Sequence, residues 1–194
     1  MFLDTTYGSE SGEYSGHFRH GAKDGEGTYK WKDGSTYTGG WKVNQIHGVG
    51  VHTWADGRVY TGSWAAGKMH GVGIYTWSDH KSYEGEYVKD KKEGYGKYSW
   101  PDGRVYRGYW KDGKQHGLGE YTISSEGFPQ TQTRYGLWAN GSRKHWFQIL
   151  ADVDVSSQLD AIEESIFLEQ KQEMAQGEAT AKLERMTFKK PPKF

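Results

Sequence analysis

One block of sequence recurs along the chain at a fixed period, and it constrains the fold more than any other feature. Its copies occupy residues 14–36, 37–59, 60–82 and 83–105, the first of them being the loosest. A fifth copy begins at Tyr106 and a partial sixth near Arg134. A repeat of 23 residues is one supersecondary unit that cannot bury its apolar face alone. It becomes stable when it stacks on its neighbours. We therefore expect an elongated array with a long surface.

Each copy has the pattern of a β-hairpin. In the copy from Tyr37, residues alternate up to Trp41 with the period of two that is typical of a strand. A turn is predicted over residues 42–46, and a second alternating run extends to Trp54. The Asp56-Gly57 pair that follows favours a tight turn before the next copy. Successive hairpins joined in this way form an antiparallel meander.

The aromatic residues and glycines of the repeat predict how the sheet is stabilised. Hydrophobic content is only 34%, whereas aromatic content is 15% and 28 residues are glycine, which argues against a thick two-layer core. Strand glycines are weak alone, but they leave space over which rings from the neighbouring strand can lie. One face is then an aromatic and glycine ladder that contains eight of the nine tryptophans: Trp31, Trp41, Trp54, Trp64, Trp77, Trp100, Trp110 and Trp138.

Composition and charge exclude several classes of protein. Formal net charge is zero, which argues against nucleic acid as a partner, because phosphate contacts need a basic surplus. The chain has no cysteine, so it has neither disulfides nor thiolate metal ligands. No apolar run approaches the roughly 18 residues of a membrane span, and no signal peptide pattern is visible. We expect an intracellular protein of the cytoplasm or cytoskeleton.

The pattern YxGxWxxGxxHGxGxYxWxDG resembles the MORN (membrane occupation and recognition nexus) repeat over about residues 14–142. The resemblance implies a mostly β fold, an elongated twisted single-layer antiparallel sheet without enzymatic activity. It also implies scaffolding in cytoskeletal, ciliary or junctional assemblies, dimerisation end to end, and partner segments held in a groove. Phosphoinositide binding has also been proposed for the family.

The last copies depart from this pattern. Ile123 stands where the repeat has tryptophan, about five residues are inserted around 128–131, and the sixth copy opens with Arg134. Such atypical end repeats are expected of caps. The insertion leaves the register of the sixth copy open.

No catalytic, cofactor or metal site is predicted. His47, His70 and His116 recur at one repeat offset, which separates neighbours by two strands, or about 10 Å, too far to share one metal. The recurring aspartates near the turns have the same structural explanation, and no helix follows the GxG pairs as a phosphate loop requires. We expect a protein that is not an enzyme and binds no cofactor.

A second class of function is a peripheral membrane module that binds anionic phospholipids or phosphoinositides. Lys89, Lys91 and Lys92 form the basic cluster that this alternative requires. Attraction to a membrane by charge usually takes clusters of four to eight basic residues. A solvated turn explains the three lysines more simply. A third alternative, an accessory region of a lipid kinase, has no kinase domain in this sequence to accompany it.

Five segments divide the chain. They are a lead-in strand at 1–13, the repeats at 14–142 with units from 14, 37, 60, 83, 106 and about 134, a hydrophobic end at 143–155, an acidic amphipathic helix at 156–176 and a basic arm at 177–194. The helix prediction rests on an N-cap at Ser156-Ser157 and on the absence of glycine and proline up to Gly177. Residues 152–173 carry seven acids and one lysine.

The C-terminal end is the predicted contact surface. The last strand is a sheet edge, and apolar residues follow it without charges to protect it. The candidate interaction residues there are Trp146, Phe147, Ile149, Leu150, Ile162, Ile166 and Phe167. They could meet the chain's own sheet, a second copy in a homodimer, or another protein. A site on the ladder face, around Tyr60, Trp64 and Tyr83, is the alternative.

The sequence thus favours a non-enzymatic scaffold or adaptor of a cytoskeletal assembly, with the cilium or the flagellar axoneme as a candidate location. Protein partners would bind through the repeat sheet and the C-terminal helix.

Overall fold

The computed structural model contains one antiparallel sheet whose strands follow one another in chain order. It describes residues 3–9, 12–123 and 132–148, and the helical residues 157–162, 164, 165 and 168; for 3–9 it describes the backbone alone. The strands are β1 Leu3–Ser9, β2 Gly12–Arg19, β3 Ala22–Trp31, β4 Thr36–Lys42, β5 Gln45–Thr53, β6 Val59–Ala65, β7 Lys68–Thr76, β8 Ser82–Val88, β9 Lys91–Ser99, β10 Val105–Lys111, β11 Lys114–Ile123, β12 Gln132–Ala139 and β13 Ser142–Phe147.

The predicted fold class is confirmed. Over the residues that the structure describes, the sheet has thirteen strands, and each pairs with its neighbours in chain order. A helix at the expected place, near the C-terminus, accompanies the sheet. Twelve steps at a spacing of about 4.8 Å give a sheet roughly 58 Å long and one layer thick.

The hairpin turns are shorter than the sequence predicted. Between β4 and β5 the turn consists of Val43 and Asn44, with φ of 47° and 63°, rather than of residues 42–46. Two consecutive positive φ values are typical of a type I′ turn, whose twist matches that of the strands it joins. Ile46 therefore belongs to β5, where it pairs with Trp41 across the hairpin.

A bulge follows each of these turns. Gly39 pairs with Gly50 and Trp41 with Ile46, so β5 has two more residues than β4 between the paired positions. Gly48 lies in this bulge with φ of 78°, a conformation that favours glycine. Because the number of extra residues in β5 is even, the side chains that lie on one face of the sheet before the bulge are continued by side chains on that same face after it.

The turns between hairpins are held by the predicted aspartates. The backbone N–H of Gly57 donates to Trp54 O at 3.0 Å, and the N–H of Arg58 donates to Asp56 Oδ1 at 3.1 Å. His80, which replaces the turn glycine in the next copy, has φ of 65° and takes the same place. Its N–H donates to Trp77 O at 3.0 Å.

The predicted packing of rings over glycine is confirmed. A Cβ added at Gly50 would overlap the ring of Tyr37, which crosses from the neighbouring strand. The same relation joins Gly73 to the Tyr60 ring. Glycine at these positions lets a single layer bury large rings without a second layer above it.

The register of the sixth copy is now settled. Trp138 pairs with Gly117 just as Trp110 pairs with Gly94 one copy earlier. The insertion in the fifth copy therefore leaves the pairing of β11 with β12 in the common pattern. Residues 124–131 lie outside the described part of the chain.

Candidate interaction face

Five tyrosines at the start of the repeats form the centre of one face, which we call the front face; the other is the back face. Tyr14, Tyr37, Tyr60, Tyr83 and Tyr106 have no exposed surface. Each hydroxyl donates to the carbonyl three residues later; for Tyr60 the acceptor is Ser63 O at 3.0 Å. Burial raises the pKa of Tyr60 to about 12, so these hydroxyls stay protonated donors.

The tryptophans of the first strands complete this core. They are buried and are Trp41, Trp64, Trp110 and Trp138. The rings of Tyr60 and Trp64 meet edge to face, with centroids 4.9 Å apart and planes at 86°. The indole N–H of Trp64 donates to Gly50 O at 3.4 Å. Contacts of this geometry stabilise a pair beyond the area that it buries.

The tryptophans of the second strands remain half-buried, and they form the exposed ring surface of the front face. They are Trp31, Trp54, Trp77 and Trp100. Intervening rings connect them: the centroid of Tyr75 lies 5.4 Å from that of Trp54 and 4.5 Å from that of Trp77. An almost continuous row of rings thus crosses the strands with one side open to solvent.

Basic side chains lie over part of this row. The guanidinium of Arg58 is 5.3 Å from the Trp54 ring centroid and pairs with Asp56 at 2.6 Å. Arg104 is placed in the same way, 5.4 Å from the Trp100 ring centroid. The pairing lowers the pKa of the Asp56 carboxyl, so this turn carries one charge of each sign.

Between the rings, each repeat leaves a space that one side chain fills; we call this space a bay. The residue that fills it stands at the tenth position of the repeat, and the series is Lys23, Ile46, Met69, Lys92 and Gln115, all half-buried. The next hairpin turn fixes this residue, since the N–H of Gly67 donates to Ile46 O at 2.8 Å. Bays therefore share one backbone geometry and differ in the side chain that fills them and in some of the surrounding rings.

The fourth bay holds a lysine inside a cage of rings. The Nζ atom of Lys92 lies 4.5 to 5.3 Å from the centroids of Trp77, Tyr83, Tyr98 and Trp110. A cation over ring faces at such distances is attracted by their quadrupoles. The fourth repeat thus presents a cation in the middle of the aromatic face.

The first bay is built in the same way. The Nζ atom of Lys23 lies 5.3, 4.0 and 4.9 Å from the centroids of Tyr14, Tyr29 and Trp41. These rings stand at the same repeat positions as three of the rings around Lys92.

Neither caged lysine has a carboxylate within ion-pair distance among the described residues. Burial lowers the pKa of Lys92 to about 8 and lowers that of Lys23 as well. The surrounding rings act in the opposite direction because they favour the ammonium form. Both groups are therefore partly desolvated cations that aromatic faces stabilise and that no carboxylate of the described part of the chain neutralises.

The back face of the second and third repeats exposes aliphatic side chains. Val49 and Val72 are 69% and 64% exposed, and Val51 and Ile74 lie beside them on the same face. Thr61 lies on β6 and pairs with Val51 of β5 on one side and with Ile74 of β7 on the other. Because these residues gain little from burial, the stability of the sheet comes chiefly from the front face.

At the C-terminal end the structure describes two of the predicted contact residues of β13. Trp146 is half-buried on the front face, 5.6 Å from Trp138 and perpendicular to it, with Arg143 4.6 Å from its ring centroid. Phe147 follows on the opposite face and is also half-buried. The two residues thus belong to two different surfaces of the sheet.

The remaining predicted contacts at this end are described only in part. Ile162 is a half-buried residue of the helix. The residues Ile149, Leu150, Ile166 and Phe167 lie outside the described residues. Whether these side chains meet a partner stays a prediction.

The alternative site on the ladder face differs from what the sequence suggested. Tyr60 and Tyr83 have no exposed surface and Trp64 has 6%, so they form the core beneath the face. The rings that can meet a partner there are their half-buried neighbours, such as Trp54 and Trp77.

The structure does not bring the predicted lysine cluster together. Lys89 lies in a hairpin turn, and the Nζ of Lys91 pairs with Asp112 at 2.7 Å. Lys92 lies in its aromatic cage on the front face. Sequence reasoning placed Lys92 in a surface cluster rather than in a cage and did not single out Lys23; the signal for both cages was the series at the tenth repeat position.

The repeated histidines do not assemble a metal site. Among the described residues, no group of three or more histidine, aspartate or glutamate side chains is arranged to hold a metal ion. His52 is a buried ring whose centroid lies 4.1 Å from that of Trp54, and burial lowers its pKa. No helix within the described residues is long and apolar enough to cross a membrane.

Comparison with known proteins supports the repeat assignment. The family model of the MORN repeat matches five segments, residues 14–36, 37–57, 60–82, 83–103 and 106–127. Together they cover more than half of the chain. No curated protein matched the sequence.

Proposed function

Because this chain belongs to the MORN repeat family, whose repeats are non-catalytic modules for protein or membrane interaction, we propose that it is a structural scaffold or adaptor of a cytoskeletal assembly. The cilium and the flagellar axoneme are the locations that we propose for it. Protein partners bind the repeat sheet and the C-terminal helix. It performs no catalysis.

The half-buried tryptophan row is the observation that carries this proposal. Trp31, Trp54, Trp77 and Trp100 present ring surface along the front face, on a backbone that strand pairing holds throughout. Tryptophan and arginine are enriched among the residues that dominate binding energy at interfaces. A row of anchors about 10 Å apart, on a sheet roughly 58 Å long, suits a partner that must be held in a defined place.

The C-terminal end supports a second contact. Strand β13 leaves an unpaired edge in the described sheet, and Trp146 and Phe147 stand half-buried on its two faces. A bare edge of this kind invites pairing. We propose that a partner or a second copy of the chain covers this end together with the helix.

Fractionation of cells that express the tagged full-length chain tests the assembly. A cytoskeletal scaffold stays with the detergent-insoluble cytoskeleton, and in ciliated cells with the axoneme after the membrane is stripped. Complete release with the soluble fraction contradicts the proposal. The variant Trp54→Ala/Trp77→Ala removes exposed ring surface from the front face and should release the protein from the cytoskeletal fraction. The matched control is Val49→Ala/Val72→Ala on the back face, which should not release it.

The contact at the C-terminal end has its own variant. The double change Phe147→Ser/Phe167→Ser should release the partner or dimer while circular dichroism still shows a folded sheet. An unchanged pull-down by this variant assigns binding to the front face.

Binding to anionic lipid is the alternative function, and the observations that support it are weaker than those for a protein scaffold. Lys91 is paired with Asp112, and Lys92 lies among the rings of the front face while Lys89 lies in a hairpin turn, so the three lysines do not present one basic cluster to a headgroup layer. Pelleting with phosphatidylserine or phosphoinositide vesicles decides the question, since a protein scaffold remains in the supernatant. Sedimentation that salt abolishes would favour the membrane module.

A further inference from the structure

We propose that the front face receives an acidic segment of a partner protein, whose two acidic groups lie six strand spacings, or about 29 Å, apart with apolar residues between them. Lys23 and Lys92 bind the two acidic groups, and the bays of Ile46 and Met69 contact the apolar part. This inference rests on the proposed function as a protein scaffold, and it specifies the chemistry of the partner.

The sequence of bays supplies the pattern. From the first repeat to the fourth, the side chain at the tenth position is basic, apolar, apolar and basic. Each of these side chains is half-buried and so keeps one side toward solvent on the front face. Strands β3 and β9, which carry the two lysines, are six strand steps apart, or about 29 Å.

Packing does not require lysine in either bay. Ile46 and Met69 fill the equivalent space in the second and third repeats, respectively, and pack against the core. A desolvated ammonium is unfavourable unless another group compensates it, and among the described residues these two have aromatic rings around them and no carboxylate at ion-pair distance. The two cations therefore carry a cost to folding that a bound anion would recover.

A carboxylate is the group that fits this environment. It accepts a charge-assisted hydrogen bond from the ammonium, and such a bond is stronger where rings exclude water. The half-buried tryptophans beside each cage, such as Trp77 beside Lys92, add apolar contact for the rest of the segment. A partner segment spans about 29 Å with about 19 residues as a helix or about nine as a strand.

The arrangement suits a peptide better than a membrane surface. In three connecting turns of the front face the basic side chain is already paired: Arg58 with Asp56, Lys81 with Asp79 and Arg104 with Asp102. The caged lysines are thus two separate cations rather than the cluster of four to eight that draws a protein to anionic lipid.

A selection experiment on the tagged full-length chain tests the pattern. A displayed library of random peptides, long enough to reach both cages even as a helix, is selected on the wild type and, in parallel, on Lys23→Met/Lys92→Met. We expect peptides from the wild type to carry two acids at the helical or the extended separation just given, with apolar residues between them. The double variant should not enrich this pattern.

The variants have an internal control, because methionine already occupies the third bay. Lys92→Met should melt at the wild-type temperature or above it, yet bind an enriched peptide at least tenfold more weakly in fluorescence anisotropy, the loss of one charge-assisted bond. The reverse variant, Met69→Lys, adds a cation among the Tyr60, Tyr75 and Tyr87 rings. It should select peptides with an acid nearer the centre.

Several results would overturn the inference. They are enriched peptides without paired acids, no enriched peptide at all, or equal affinity of wild type and Lys92→Met. Cross-linking of Lys92 to residues 157–176 of the same chain would make the occupant the chain's own tail. Co-sedimentation with phosphatidylserine vesicles that the double variant abolishes would make it a membrane.

Failure here is distinguishable from failure of the proposed function. If the chain stays with the cytoskeleton but selects no acidic pattern, the scaffold stands and the assignment of partner chemistry falls. If the chain is released from the cytoskeleton by every extraction, the scaffold itself falls.

Discussion

The two faces of this sheet are made from the same strands, yet they differ almost completely in burial. On the front face, Tyr37 and Tyr60 have no exposed surface, while on the back face Val49 and Val72 are among the most exposed hydrophobic residues. Within the described strands no second sheet lies over either face, and the large rings exclude water by lying across neighbouring glycines. Side chains that project away from the sheet, such as those of Val49 and Val72, remain exposed to solvent. Burial here depends on ring shape and on glycine rather than on hydrophobicity alone.

Removing one ring should separate the faces most sharply. Trp64→Ala deletes a buried ring that contacts Tyr60 and Tyr37 edge to face, and we expect a loss of about 3–5 kcal/mol in the free energy of unfolding. Val72→Ala on the back face should change it by less than about 0.5 kcal/mol. Urea denaturation followed by tyrosine or tryptophan fluorescence measures both. Similar losses for the two variants would contradict the one-sided core.

Filling the space under a ring should have the next largest effect. Gly50→Val places a branched side chain where the Tyr37 ring lies, and overpacking of this kind costs about 1–3 kcal/mol. Thr61→Val on the exposed face serves as the control and should be close to neutral. Thermal melting by circular dichroism compares them. A Gly50→Val variant that melts with the wild type would show that rings do not depend on the glycines.

A single hydroxyl tests how much the front face relies on its hydrogen bonds. Tyr60→Phe leaves the ring in place but removes the donor to Ser63 O. We expect a loss of about 1 kcal/mol, or about 2–4 °C in Tm for a chain of this size. The control is Tyr95→Phe, because Tyr95 is only half-buried on the back face. Equal melting of wild type and Tyr60→Phe would show the bond to be without net effect.

The smallest expected effect is a dependence on pH. Burial lowers the pKa of His52 below its usual 6.5, so the unfolded chain binds this proton more readily than the folded one. The free energy of unfolding therefore falls as the pH drops from 6.5 through the folded pKa. In His52→Tyr, which copies Tyr75 of the next repeat, that contribution disappears.

Melting wild type and His52→Tyr at pH 7.5 and 5.0 isolates this effect. His116, whose pKa burial also lowers, remains in both proteins and cancels in the comparison. The gap in Tm should widen toward pH 5.0 in favour of the variant. A gap that does not change with pH would mean that His52 titrates normally.

The sequence predicted the hairpins, the division of residues between faces and the packing of rings over glycine, because all three follow from the period of two and the spacing of the repeat. The hairpin turn was predicted too long, since a β-branched residue such as Val43 rarely adopts positive φ. Because the predicted turn included Ile46, the residues at the tenth repeat position were not recognised as strand residues that face the rings. With the turn reduced to Val43 and Asn44, Ile46 becomes a strand residue opposite Trp41, and by the same count Lys92 faces the rings.

Pairing of each strand with its chain neighbours alone has a consequence for how the protein is made. Every contact of the sheet joins residues that lie within about two repeats of one another, so no strand must wait for a distant part of the chain before it can add. Topologies dominated by local pairing fold fast. On the ribosome, each new hairpin can dock on the one that emerged before it, and the sheet grows by two strands for every repeat synthesised.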